Sequence, residues 1–200
     1  MDTNPIIYHD PNAYLRSPVQ GDILVASPFM KEYFFARSLV LLLDNPTDGG
    51  QLGLVLNRKS KVSLQDIFPA LSELPVIDVY GGGPVGQDRL FMLHSLPEVF
   101  GGSLEVAPGI YVGGGPESIV RYILDGGDLD GKVRFFLGYS GWGKDQLSSE
   151  IKAQTWAIGR PSADVNYLSG RGGSYWKKVV EALGPEYRGW LNIPLDPSLN

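Results

Sequence analysis

Short runs of aliphatic residues, separated by glycine-rich turns, dominate the pattern of the chain. The run Ser38–Leu43 is apolar at every position after the serine, which is typical of a strand buried on both faces. A dense turn signal, Asp48-Gly49-Gly50, and a second apolar run at Leu52–Leu56 follow it, so the two runs predict a hairpin. Further strands are predicted at residues 23–26, 76–80, 90–93, 104–106, 110–112 and 133–137.

Helical spacing of apolar residues replaces the strand pattern in four places. These helices are predicted near residues 63–71, 116–126, 145–154 and 174–184. Ser63 and Asp66 form a capping-box pattern, and Pro116 suits the first position of a helix. Ser174 is the predicted cap of the last helix, which Gly184 ends.

The mixture of strands and helices predicts a mixed α/β fold, and the length fits one domain. Prolines among polar residues make residues 1–20 an N-terminal arm laid over the domain. We place the domain at residues 21–184. Residues 185–200 return to prolines and are predicted as an irregular C-terminal tail packed on the domain.

The composition is that of an ordinary globular protein, with 43% hydrophobic and 20% charged residues. The chain has no cysteine, which fits a reducing compartment, and its N-terminus lacks the pattern of a secretory signal. We therefore expect a soluble cytoplasmic protein without a membrane segment. The net charge of -5 and the scattered basic residues argue against direct binding to nucleic acid.

The segment Gly138–Asp145 spells G-x-x-x-x-G-K between a predicted strand and a predicted helix. A phosphate-binding loop has this spacing, but it needs Ser or Thr where this chain has Asp145. The simpler interpretation is a strand-to-helix turn in which Asp145 stabilises the helix N-terminus. The segment is also similar to a serine-hydrolase elbow, with Ser140 as nucleophile and His94 as base, although its second glycine stands one position early.

Cofactor and metal signatures are weaker still. Gly81–Gly86 satisfies G-x-G-x-x-G, but the β-like run Arg89–Leu93 follows it where a dinucleotide site needs a helix. We interpret it as a structural turn and predict no cofactor. Without cysteine, and with only two histidines far apart in sequence, no metal site is predicted.

Six stretches together match one family in collinear order. They are Gly21–Pro28, Phe35–Leu42, Gly53–Arg58, Tyr80–Val85 continuing to Asp88-Arg89, Leu93-His94, and Gly138–Trp142 with Gln146-Leu147. The chain resembles the AlgH/YqgE family of bacterial proteins from about residue 20 to residue 160, and more weakly through the last helix. Ordered agreement of this kind is more specific than any single glycine motif.

The resemblance implies a bent, largely antiparallel sheet that forms a pseudo-barrel with helices around it. It also implies a bacterial cytoplasmic protein from a family often labelled as transcriptional regulators, for which no catalytic residues or cofactor are established. The sequence departs from the family pattern at Asn45, where relatives often have histidine. It also departs at Lys59, where proline commonly follows the Asn-Arg pair, and at Leu90, where glycine is frequent.

We expect a non-enzymatic regulatory or binding module that acts through a protein partner or a small anionic ligand. Its candidate surface consists of residues at strand ends and turns. They are Arg37, Asn57, Arg58, Gly82, Gly83, Pro84, Asp88, Arg89, Ser140, Gly141, Trp142 and Gln146. The structural alternative makes Arg37, Asp88 and Arg89 members of ion pairs and places Trp142 in the core.

Two further hypotheses stay open. One is an enzyme, either a nucleotide hydrolase or a serine hydrolase, that uses residues 138–145. The other is a structural oligomer with Tyr175, Trp176, Tyr187 and Trp190 as interface aromatics, for which core packing is the alternative.

Overall fold

The computed structural model describes residues 7–9, 17–44, 49–161 and 167–194. The strands are β1 (Ile7–His9), β2 (Ile23–Ala26), β3 (Leu39–Asp44), β4 (Gln51–Val55), β5 (Lys59–Ser63), β6 (Asp78–Gly81), β7 (Val85–His94), β8 (Leu104–Ala107), β9 (Ile110–Val112), β10 (Val133–Trp142) and β11 (Trp156–Pro161). The α-helices are α1 (Leu64–Ile67), α2 (Pro116–Leu124), α3 (Gln146–Lys152) and α4 (Gly172–Leu183). Short 3-10 helices lie at Tyr33–Phe35, Pro69–Leu71 and Pro185–Asn192.

All of these strands join one curled sheet in the order β1-β11-β2-β3-β4-β10-β7-β9-β8, with β6 also beside β10 and β5 beside β6. The pairings are antiparallel except that of β6 with β10. The sheet forms a half-barrel with helices around it, which confirms the predicted fold class. No helix in the described part of the chain is long and apolar enough to cross a bilayer.

Strand β10 joins the two halves of the sheet. Its first half lies between β6 and β7, where Phe135 faces Val79, and its second half pairs with β4, where Ser140 faces Gly53. The register shifts at Gly138, whose φ of 70° is one that side chains other than glycine rarely adopt. The sheet therefore bends at this residue.

Strands β2 and β3 are buried on both faces, as the continuous apolar runs predict. Leu41 faces the barrel interior, where Trp176 and Val179 of α4 close the core. Val40 faces the opposite side, where Leu147 of α3 covers the sheet. These two strands therefore hold α3 and α4 on opposite faces of the half-barrel.

A third core lies under α1 and α2, where Leu64 and Ile119 pack with Phe135 of β10. The predicted capping box starts α1: the Asp66 carboxylate accepts the Ser63 N–H at 2.7 Å, and the Ser63 hydroxyl accepts the Asp66 N–H at 3.4 Å. These bonds to Ser63 lower the pKa of Asp66.

Several boundaries differ from the sequence-based predictions. Strand β5 was not predicted, because its exposed lysines hide any apolar alternation, and β11 was not predicted either. Ser174 is not the cap of α4: the N-cap is Arg171, whose carbonyl accepts a hydrogen bond from the Ser174 hydroxyl. Gly184 ends α4 as predicted.

The two ends of the chain contribute structure that the proline content does not suggest. Ile7–His9, within the predicted arm, is an edge strand on β11, and Pro185–Asn192, within the predicted tail, is a 3-10 helix. Asn45, most of the predicted arm and residues 195–200 lie outside the described residues.

Candidate functional site

Asn57 joins three segments of backbone. Its side-chain amide donates to the carbonyls of Arg37 and Gly172, both at 2.9 Å, and its Oδ1 accepts the Leu39 N–H at 3.0 Å. Only 6% of the residue is exposed. These three hydrogen bonds join β3 and the start of α4 to the end of β4, so Asn57 is a structural residue.

Arg37 packs on α4, and the ion pair of the structural alternative is not found for it among the described residues. Its guanidinium carbon lies 4.7 Å from the centre of the Trp176 ring, and its Nη2 donates to the Ile193 carbonyl. Partial burial lowers the pKa of Arg37. The backbone at Arg37 has a φ of 53°, so this turn orients the side chain toward α4.

Arg58 organises the aromatic 3-10 helix that follows β2. Its Nη1 donates to the carbonyls of Tyr33, at 3.0 Å, and Phe34. The guanidinium also lies over both aromatic rings, 4.9 Å from the centre of Tyr33 and 5.0 Å from that of Phe34. Arg58 therefore holds Tyr33, which is 85% exposed, at the surface.

The backbone of Gly82 and Gly83 lies in direct contact with the backbone of β10. A Cβ on Gly83 would lie 1.9 Å from the Tyr139 carbonyl carbon, and one on Gly82 would lie 2.3 Å from the Gly138 oxygen. The fully buried Ser140 hydroxyl donates to the Gly82 carbonyl at 3.1 Å. This seam needs glycine because no side chain fits between the two backbones.

The structure does not support a phosphate loop or a serine nucleophile at residues 138–145. Residues 138–142 belong to β10, and only Gly143–Asp145 form a turn, in which Asp145 makes no side-chain capping bond. Ser140 is buried, and His94 pairs with Val133 at the other end of β10, about 20 Å away. A Ser140–His94 pair is therefore impossible in this fold.

His94 is a core residue. Its Nδ1 accepts the Leu96 N–H at 3.1 Å, and its ring packs against Phe100 and Tyr111. The residue is 0% exposed, and burial lowers the pKa of its imidazole. The neutral form is thus the one that suits this site.

Trp142 is part of a core cluster that a carboxylate holds together. The indole N–H groups of Trp142 and Trp156 both donate to Glu150 Oε2, at 2.9 and 2.8 Å. The Gln146 amide donates to Oε1 of the same residue at 2.9 Å, and Phe35 stacks on Trp142. The structural interpretation of Trp142 is confirmed, and Glu150 is the member that the sequence did not identify.

The remaining candidate residues lie on the surface around β7 and the bend of β10. Pro84, Asp88, Arg89 and Gly141 are all exposed. In the described part of the chain, neither Asp88 nor Arg89 has a salt-bridge partner within 4 Å, so the predicted structural ion pairs are not found there. Their role as a partner surface stays a prediction.

A cleft of about 800 Å³ lies elsewhere, and none of the candidate residues lines it. It opens between the loop after β2, the turn between α3 and β11, and the last 3-10 helix. Its aromatic wall is formed by Phe29, Trp156, Tyr187 and Trp190, and we call it the aromatic cleft. Its volume is in the range of known ligand sites.

Two aromatic residues of the cleft wall pack against other rings, and a third is exposed. Trp190 stacks in parallel with the buried Trp176 at 6.5 Å and meets Tyr187 edge to face at 5.0 Å. Phe29, which lines the same cleft, is 69% exposed. Tyr187 and Trp190 stand out in the sequence as aromatics in a proline-containing tail, but nothing in the sequence shows that Phe29 lines the same cleft.

A second unexpected feature is the buried Arg134 on β10, which is 3% exposed. Its Nη1 donates to the carbonyls of Leu56, at 2.9 Å, and Tyr167, at 3.4 Å. Its guanidinium carbon lies 4.1 Å from the centre of the Tyr80 ring. Burial is the largest influence on the pKa of Arg134 and lowers it.

No group of three or more potential metal ligands occurs among the described residues.

Comparison with known proteins identifies the family. The family model described as "DUF179: AlgH-like" matches residues 23–188. The chain belongs to the AlgH-like family. A UPF0301 protein of Parabacteroides distasonis is 45% identical over 184 residues, which cover 92% of each chain. Another, from Bacteroides thetaiotaomicron, is 37% identical over 183 residues, with the same coverage.

Two solved structures share the fold. The solution structure of the AlgH protein from Pseudomonas aeruginosa is 26% identical, with a TM-score of 0.62, over 90% of this chain and 93% of that one. The crystal structure of protein DIP2367 from Corynebacterium diphtheriae has a TM-score of 0.65 at 21% identity, over 88% of this chain and 92% of that one. The resemblance inferred from the six collinear stretches is thereby confirmed. Within this AlgH-like fold, the matching glycines and Asn57 serve backbone contacts.

Proposed function

We propose that this AlgH-like protein is a non-enzymatic, cytoplasmic regulatory module that binds a protein partner through the aromatic cleft. The observation that carries the proposal is the exposure of Phe29, 69%, beside a cleft walled by Tyr187 and Trp190. Exposed apolar groups beside a polar rim mark interaction sites, and aromatic residues are enriched in interfaces.

The occupant that fits the cleft best is an extended peptide segment with a proline or aromatic side chain. Grooves lined with aromatic rings bind such segments because a pre-extended chain loses little entropy on docking. The rim carries both signs of charge, with Lys31 and Lys152 against Glu32 and Glu186. A partner segment with charges of both signs on either side of its apolar anchor would complement this rim.

Direct contact with DNA is not part of the proposal. The net charge of -5 opposes attraction to a phosphate backbone. A regulatory effect on transcription, if this protein has one, would pass through the bound partner.

The proposal can be tested with a phage-displayed random peptide library selected on the purified protein. We expect enrichment of peptides with proline or aromatic anchors. Fluorescence anisotropy then measures the dissociation constants of the enriched peptides. Phe29→Ala should weaken binding about tenfold or more, because a truncated hot-spot aromatic costs about 1.4 kcal/mol or more.

Two matched variants control this experiment. Val76→Ala truncates another strongly exposed apolar side chain, 75% exposed, that does not line the cleft, and should leave binding unchanged. Arg89→Ala probes the surface around β7. If Arg89→Ala weakens peptide binding and Phe29→Ala does not, the partner site lies on β7 and the cleft proposal is wrong. If no peptide is enriched, the peptide-binding proposal is also rejected.

A further inference from the structure

Helix α2 carries two neighbouring rows of side chains, each with a spacing of four residues. One row is apolar and consists of Pro116, Val120 and Leu124. The other row is charged and consists of Glu117, Arg121 and the C-cap residue Asp125. Residues four apart lie one above the other on a helix, so the two rows form adjacent ridges.

Both rows lie at the surface of the protein. Together with Phe68 they line a groove of about 460 Å³. Leu124 is 54% exposed, and the side chains of Arg121 and Asp125 are 85% and 73% exposed. An exposed apolar ridge beside charged residues is typical of an interaction surface.

The order of the charges is complementary to that of a second, antiparallel copy of the same helix. Arg121 stands between two acids, and its ion pair with Asp125 in the same helix is loose, at 3.8 Å. A two-fold axis between two copies brings the same surface of each copy together, so apolar row meets apolar row and charged row meets charged row. The partner of each charge is then set by the position of the axis.

An axis midway between Val120 and Leu124 satisfies both rows at once. Val120 then meets Leu124 of the second copy, and the symmetry repeats this contact. In the charged row, Arg121 and Asp125 of the second copy lie about 3 Å apart along the helix axis, because each residue rises 1.5 Å. Their long, exposed side chains can form an ion pair at this offset, and this contact is also made twice.

We propose that α2 forms a weak, symmetric, antiparallel contact with α2 of a second copy of this chain. Seven residues line the groove, whereas about 20 to 30 residues a side form a standard interface. We therefore expect a dissociation constant on the order of 100 µM, so the dilute protein is monomeric. The groove shares no residue with the aromatic cleft, and the dimer does not depend on the proposed partner.

Sedimentation velocity of the full chain, from about tenfold below to about tenfold above this constant, measures the association. Leu124→Ala should raise the dissociation constant about tenfold or more, because it removes apolar area from both halves of the contact. Leu104→Ala on β8 is the matched control. Leu104 is 55% exposed and does not line the groove, so its truncation should leave the constant unchanged.

Charge reversal tests the register of the contact. Arg121→Asp and Asp125→Arg should each weaken self-association about tenfold, because like charges then meet across the two-fold axis. An equimolar mixture of the two variants should associate about as well as the wild type, since every mixed contact again joins an acid to an arginine. A variant that had merely lost its fold would not be rescued by mixing.

Three outcomes would overturn the proposal. The first is a wild type that stays monomeric at the highest concentration, which would leave the groove to a different protein. The second is a dimer that Leu124→Ala and both charge reversals leave unchanged, because its interface would then lie elsewhere. The third is a wild type that dimerises while the mixture of reversed variants does not, because the antiparallel register would then be wrong.

Discussion

Replacement of Glu150 by alanine tests whether a single carboxylate holds α3 against the sheet. The change removes the acceptor of two indole N–H groups, on Trp142 and Trp156, which are 6% and 3% exposed. A buried donor left without a partner costs about 1 to 3 kcal/mol, and the half-buried position of Glu150 lets water replace part of the loss. We therefore expect the free energy of unfolding to fall by about 3 kcal/mol.

For a chain of this length, that loss corresponds to a drop of about 6 to 12 °C in the melting temperature. Glu150→Gln retains an oxygen that can accept both bonds, and it should cost about 1 kcal/mol, since hydrogen bonds to a charged group are stronger. Urea unfolding followed by tryptophan fluorescence measures these differences. Glu181→Ala on the exposed face of α4 is the matched control and should change stability by less than about 0.5 kcal/mol.

The ranking of the variants decides the outcome. If Glu150→Ala is no less stable than Glu181→Ala, the two indole hydrogen bonds do not hold the cluster. The reasoning also fails if Gln and Ala at position 150 cost the same, because the loss would then not come from the missing acceptor.

Three further predictions follow from the described geometry. Gly83→Ala should abolish soluble folded protein, because its Cβ would lie 1.9 Å from a backbone carbon. The control Gly101→Ala should fold normally, since no atom lies within 4 Å of the added Cβ. Circular dichroism compares the two variants. Burial lowers the pKa of His94 in the folded protein below the unfolded value of 6.5. The contribution of His94 to the free energy of unfolding should therefore be fully present above pH 6.5. Below pH 6.5 the free energy of unfolding should fall by up to about 1.4 kcal/mol per pH unit, until the folded pKa is reached. Urea titrations at pH 7.5 and 5.5 should show this loss in the wild type and a smaller one in His94→Gln; equal losses would contradict it. ATP with magnesium should raise the melting temperature of neither the wild type nor Lys144→Ala, and a rise that Lys144→Ala removes would restore the phosphate-loop hypothesis.

Local patterns were sufficient where one segment carries its own signal. The run at Ser38–Leu43 predicted a strand buried on both faces, and Ser63 with Asp66 predicted the start of α1. These features depend on neighbours in sequence. The collinear stretches were likewise enough to identify the family, because their order is independent of any one contact.

The candidate residues show where local reasoning stops. Asn57, Ser140 and Trp142 are polar or aromatic residues at strand ends, a pattern that also suits a binding surface. Only their partners show that Asn57 bonds three backbone segments, that Ser140 donates to Gly82, and that Trp142 is packed in the core. The sequence identified residues that matter to the fold, but not the reason why they matter.

The sequence by itself determined the family, the apolar strands and most of the helices, because hydrophobic periodicity and caps act over a few residues. Tertiary structure alone decided that Gly138 bends one long strand and is not part of a loop. It also decided that Phe29 and Trp190 line the same cleft, and that Arg134 is buried without an acid within salt-bridge distance among the described residues. These features join residues far apart in the chain, and their energies depend on burial and on facing groups, which no local pattern specifies.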